Sequence, residues 1–184
     1  MRGSGGADRR EDAVRLFVAV CFSDPFLDAL EDCQRNLRRT GVPGNPRWSK
    51  RDNLHLTLAF LGEREEADSV IKALDAVRFS PFRIRTGEFM KFGDVLTLGI
   101  RDGGESRKLA REVRAALDKA GIPYDKKPPV PHITLARKYT APLPDGVSLI
   151  APAATDRVSS FRLMLSSLTT TGAVYTPLKD FQLR

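Results

Sequence analysis

Histidine and cysteine each occur only twice in this chain of 184 residues. Two cysteines, Cys21 and Cys33, are too few and too far apart for a disulfide scaffold or a zinc ribbon, and reduced thiols in a cytosolic, cytoplasmic protein are the expectation. Neither histidine has an aspartate or glutamate within two residues. The His and carboxylate clusters that hold a catalytic metal are therefore missing, and no metal and no other cofactor is expected. No apolar run is long enough to cross a membrane. Arg15 followed by Leu16 to Phe22 has the outline of a short signal peptide, but Ser23-Asp24-Pro25 interrupts it and a helical pattern follows at once. A lysine motif for nucleotidyl transfer and a glycine-rich loop that would cradle phosphates are also absent.

What is present is a repeated string. Both histidines open one: His55-Leu56-Thr57-Leu58-Ala59 and His132-Ile133-Thr134-Leu135-Ala136. In a strand successive side chains alternate faces. Alternation sets His55, Thr57 and Ala59 on one face, with Leu54, Leu56, Leu58 and Phe60 on the other. The second string sets His132, Thr134 and Ala136 over Ile133 and Leu135. One face of each strand is core, and the other presents an imidazole beside a hydroxyl.

That pairing suits a phosphate ester. Neutral imidazole takes a proton from water, and imidazolium gives one to a leaving oxygen, both near neutral pH. A threonine hydroxyl donates a hydrogen bond to a phosphoryl oxygen. Two His-x-Thr units facing each other would hold a phosphate between four groups, with an acid and a base in line across it. The same groups would bind phosphate even if no reaction followed, so a non-catalytic nucleotide- or RNA-binding module is the alternative from another class.

These residues resemble the 2H phosphoesterases, a family named for two such histidine motifs, and within it the RNA 2′,3′-cyclic phosphodiesterases, formerly called 2′-5′ RNA ligases. Arg15-Leu16-Phe17-Val18-Ala19 resembles the family's opening strand. Trp48 through Gly62 resembles its first motif with flanks, and Pro131 through Arg137 its second. Leu165-Ser166-Ser167-Leu168 and Gly172-Ala173-Val174-Tyr175 are similar to its C-terminal hairpin. The resemblance implies metal-independent opening of a 2′,3′-cyclic phosphate at an RNA end to a 2′-phosphomonoester, with His55 as proton donor and His132 as proton acceptor. It implies Thr57, Thr134 and Arg137 as substrate contacts, and it keeps 2′-5′ ligation, the same chemistry reversed, as an alternative.

Composition is compatible with this. With 41% hydrophobic residues and a formal charge of +7 the chain has material for a core and a preference for acidic partners such as RNA. A tail at 1–12, rich in Gly, Arg and Asp, is expected to be disordered ahead of a single bilobal domain over 13–184, acting as a monomer. Periodicity predicts a strand near 15–22, then a helix capped by Ser23 with Phe26, Leu27, Leu30, Cys33 and Leu37 inward. A second helix is predicted near 65–77, a hairpin over 82–92 and 95–101, a third helix near 106–120, and closing strands near 158–168 and 173–183. The fold class is α+β. By resemblance it forms two pseudo-symmetric lobes, each an antiparallel sheet with outer helices, facing across a cleft.

Arg137 poses a difficulty, because strict alternation puts it on the face opposite His132 unless the strand bulges. Phe17 and Trp48 are candidates both for stacking on a base and for plain core packing. Lys50-Arg51 and Lys126-Lys127, each just before a motif, are candidates to attract an RNA backbone or simply to be solvated.

Overall fold

The computed structural model describes residues 14–64, 67–143, 154–170 and 172–184. The predicted tail at 1–12 and the first two residues of the predicted second helix, Glu65 and Glu66, lie outside the described residues. The elements run β1 (Val14–Val20), α1 (Asp24–Arg39), β2 (Arg47–Trp48), a 3-10 turn (Arg51–Asn53) and β3 (Leu56–Arg64), then α2 (Asp68–Leu74), β4 (Phe82–Phe92), β5 (Val95–Arg101), α3 (Glu105–Lys119), β6 (His132–Arg137), β7 (Thr155–Val158), β8 (Ser160–Thr169) and β9 (Gly172–Gln182).

Each helix is built on an apolar stripe. In α1, Phe26, Leu30, Cys33 and Leu37 are buried, Pro25 occupies the first turn, where a missing N–H costs nothing, and Arg38 and Arg39 sit at the negative end of the helix dipole. In α3 the buried stripe is Leu109, Ala110, Val113 and Leu117. All of these pack into one core with Leu16, Val18, Val20, Leu56, Leu58, Ile133 and Leu135. The helices therefore cover one face of the sheet. On the other face of β1 lie Phe17 and Ala19, which form a small separate cluster with Met164.

The strands form one continuous sheet in the order β7-β4-β5-β6-β3-β1-β8-β9, with β2 on β6. This differs from two sheets facing one another. The chain is α+β with antiparallel pairings throughout the described sheet. The two motif strands are neighbours, joined at Leu56↔Ile133. Beyond that point β6 pairs instead with the short β2, at Ala136 and Arg137. Neither β2 nor β7 was read from the sequence: two and four residues carry too little alternation to register as strands.

Bulges decide which residues face the site. Along β3 the partners run Phe17↔Phe60, Val18↔Ala59 and Ala19↔Thr57, so the register slips between Ala59 and Thr57 and again beyond Phe60, where Leu16 pairs with Gly62. Residues opposite one another share a face. Ala59 consequently joins the core beside Val18, while Phe60 turns to the face of Phe17 and is 54% exposed. Both assignments reverse those that strict alternation gave. Gly62, at φ +72°, supplies the left-handed residue that the second bulge requires.

Candidate active site

The two motif strands lie side by side because of the single join between β3 and β6. Carrying the Leu56↔Ile133 register one residue each way sets His55 across from Thr134 and Thr57 across from His132. In register, each histidine thus stands opposite the other motif's threonine.

Both rings are oriented in the same manner. His55 Nδ1 lies 2.8 Å from the carbonyl of Asn53, and His132 Nδ1 lies 2.6 Å from the carbonyl of Val130. A carbonyl only accepts, so Nδ1–H donates in each case and Nε2 is left as the working nitrogen. At His55 the hydroxyl of Thr57 donates to Nε2 at 3.1 Å.

The surroundings of His55 hold it firmly. Phe17 packs at 5.0 Å and Tyr175 stands edge-on at 5.3 Å from its ring. Asn53, which accepts from the ring, donates through its side chain to the carbonyl of Ala173 on β9 at 2.9 Å. Just upstream, Arg51 reaches Asp24, Asp28 and Glu31 on α1. Those carboxylates raise its pKa further above the usual arginine range and engage it structurally, so it is no free cation for a nucleic acid.

Burial pushes the His55 pKa down to about 4; the bond to Asn53 opposes this, and the charges of His132 and Arg137 add to it. Between the folded value near 4 and the ordinary 6.5 the unfolded chain binds a proton that the folded chain does not. The contribution of His55 to stability is complete above pH 6.5 and is lost as pH falls toward 4, by up to roughly 3 kcal/mol at about 1.4 kcal/mol per unit. Denaturant titrations at pH 7 and 4.5 should show that loss in the wild type and a flatter response in His55→Gln; equal losses would assign the effect to other groups.

Arg137 reaches the site face through a bulge in β6. The partners Thr97↔Thr134 and Leu96↔Ala136 skip Leu135. Leu135 and Ala136 both enter the core, and alternation then returns Arg137 to the side of His132 and Thr134. The bulge is braced from outside the motifs. Gln34, buried on the apolar stripe of α1, donates to the carbonyls of Leu135 at 2.9 Å and Ser49 at 3.0 Å. Ser49 donates its amide to Leu135 at 2.9 Å and its hydroxyl to the Thr134 carbonyl at 2.7 Å. Neither was singled out in the sequence, although a glutamine four residues after Leu30 on a buried stripe was a legible signal of a polar group with a specific partner.

Other candidates separate clearly. Phe17 is 3% exposed and wedged between His55 and Tyr175, so it backs the imidazole and offers no open face to a base. Trp48 packs against the main core under Arg38, whose guanidinium lies 5.0 Å from its ring. Lys126 is paired with Asp118 at 2.5 Å, whereas Lys127 is largely exposed, 4.0 Å from Asp125. The loop carrying both is tied to the first motif strand, since the Asp125 amide donates to the Phe60 carbonyl at 2.8 Å.

Known proteins share this arrangement of chain. A family model described as the 2′-5′ RNA ligase superfamily matches residues 24–170. An RNA 2′,3′-cyclic phosphodiesterase of Archaeoglobus fulgidus is 32% identical over 181 residues, covering 92% of this chain and 100% of its own. One from Thermus thermophilus is 35% identical over 187 residues, covering 93% and 91%. Among solved structures, E. coli LigT complexed with 3′-AMP superposes with a TM-score of 0.72 at 27% identity, covering 94% of this chain and 99% of its own.

Proposed function

The chain belongs to the 2′-5′ RNA ligase superfamily, and from that premise we propose that it is an RNA 2′,3′-cyclic phosphodiesterase, opening the cyclic phosphate to a 2′-phosphomonoester by two-histidine acid–base catalysis. The observation that carries the reading is the matched pair of imidazoles, each held through Nδ1 by a carbonyl two residues back and each set across from the other motif's threonine. The same matched arrangement, with a bulge in each motif strand, supports reading the two halves as pseudo-symmetric.

In this scheme His132 takes a proton from water as its oxygen bonds to phosphorus. The P–O3′ bond breaks, and His55 delivers a proton to O3′. The Thr57 and Thr134 hydroxyls and the Arg137 guanidinium hold the phosphoryl oxygens as charge develops. Because burial keeps His55 neutral in the ligand-free state, it acquires its proton together with the substrate, whose negative charge favours the imidazolium. Phe60, exposed on the same face beside Phe17, offers the base the stacking surface that Phe17 does not. No metal has a part in the scheme.

The direct test is incubation with an RNA ending in a 2′,3′-cyclic phosphate, chelator present, with product identification. A 2′-phosphate end supports the reading. Bound but unchanged RNA would establish the binding-module alternative, and a 2′-5′ joined product would establish ligation.

The threonines carry a separate expectation. Thr57→Val and Thr134→Val preserve shape and remove the donor, and each should lower turnover by about ten- to a thousandfold, the range for one oriented donor. Normal turnover in both would make the hydroxyls structural.

A further inference from the structure

Phe92 belongs to neither motif. It ends β4 at the hairpin tip, 44% exposed, and its ring centroid lies 5.0 Å from that of His132 with the planes tilted by 56°. A phenylalanine left nearly half in water contributes much less to folding than a buried one, so stability alone is a poor account of it. The tip itself is firmly held. The Tyr139 amide donates to the Asp94 carbonyl at 2.8 Å, and Lys91 Nζ donates to the Ala141 carbonyl at 2.8 Å while lying 5.6 Å above the Tyr139 ring. Residues 139–141 directly follow the second motif. The tip of the β4–β5 hairpin and the end of the motif strand are thus fastened together, and Phe92 has a set place relative to His132.

The two imidazoles differ in what surrounds them. His55 has two aromatic neighbours and a hydroxyl on Nε2. His132 has its Nδ1 bond to Val130 and the flank of Phe92. One hydrogen bond along the ring edge leaves the imidazole free to rock about that bond, and an aromatic ring against its flank removes the freedom.

We propose that Phe92 is a positioning residue for His132: it stops the imidazole in the orientation that aims Nε2 at the nucleophile. This rests on the reading of His132 as the proton acceptor.

The test uses Phe92→Ala and Phe92→Tyr in the full chain, with steady-state kinetics on cyclic-phosphate RNA and the imidazole NMR spectrum. With two histidines in the chain the spectrum holds two ring systems, which His55→Ala assigns. Phe92→Ala should lower kcat about ten- to a hundredfold, the scale of a misplaced catalytic group, with KM within about twofold. The His132 ring signals should shift and broaden while those of His55 stay in place. Phe92→Tyr, which keeps the ring, should restore both kcat and the spectrum. A rise in KM at unchanged kcat would make Phe92 a substrate surface and overturn the proposal. So would a change in both histidines' signals, failure of Phe92→Tyr to restore, or no change at all. If the wild type cleaves no cyclic phosphate, the catalytic reading itself fails, which the wild-type control reports separately from these variants.

Discussion

His55→Ala and His132→Ala should each remove nearly all hydrolysis, and the double variant should be hardly slower than either single one. The reason is the geometry of one transition state. Water cannot attack effectively unless its proton is taken, and O3′ cannot leave effectively unless it receives one. A site lacking either group is left with the slow residual route, in which the remaining imidazole has little to do. Groups that act together in this way are strongly non-additive. The join at Leu56↔Ile133 sets the two motif strands side by side, as a shared site requires. Losses that multiply, or a single variant that keeps most of its activity, would place the two histidines in separate sites.

Arg137→Ala should cost about a hundred- to a thousandfold in kcat/KM, the scale of removing an oriented charged donor at developing negative charge. Arg137→Lys should recover only part of that. The lysine keeps the charge but loses the planar fork that matches two phosphoryl oxygens at once. Since Arg137 also lowers the His55 pKa, its removal should raise that pKa, a direction visible in the imidazole titration. Full activity in Arg137→Ala would return this residue to the solvated surface, and the bulge at Leu135 would then need a different explanation.

The residues proposed to do the chemistry stand out in the sequence, because identity and spacing carry the signal. Alternation alone assigns His55, Thr57, His132 and Thr134 to one face, and within the first motif the fold keeps His55 and Thr57 together, Nε2 and hydroxyl 3.1 Å apart. The helices were legible as well, since the stripe Phe26, Leu30, Cys33 and Leu37 has one period and one cap. Alternation failed at Ala59, Phe60, Ala136 and Arg137, since Ala136, expected beside His132, is buried in the core. Each lies beyond a bulge, and a bulge is set by what the neighbouring strand and the covering helix offer, such as Gln34 to the Leu135 carbonyl. The continuous sheet was not legible for a similar reason. Whether two halves form separate sheets or one depends on a single pairing between Leu56 and Ile133, and no pattern within either strand encodes it. Nothing in the sequence marks Phe92, because its significance lies in contact with His132, forty residues along the chain.

The division of labour between the histidines is tested most directly by changing the leaving group. A substrate whose departing oxygen is replaced by a far better leaving group needs no acid, so it should be hydrolysed by His55→Ala at close to the wild-type rate while His132→Ala remains inactive. Rescue of His132→Ala in place of His55→Ala would reverse the roles, and rescue of neither would contradict two-histidine acid–base catalysis.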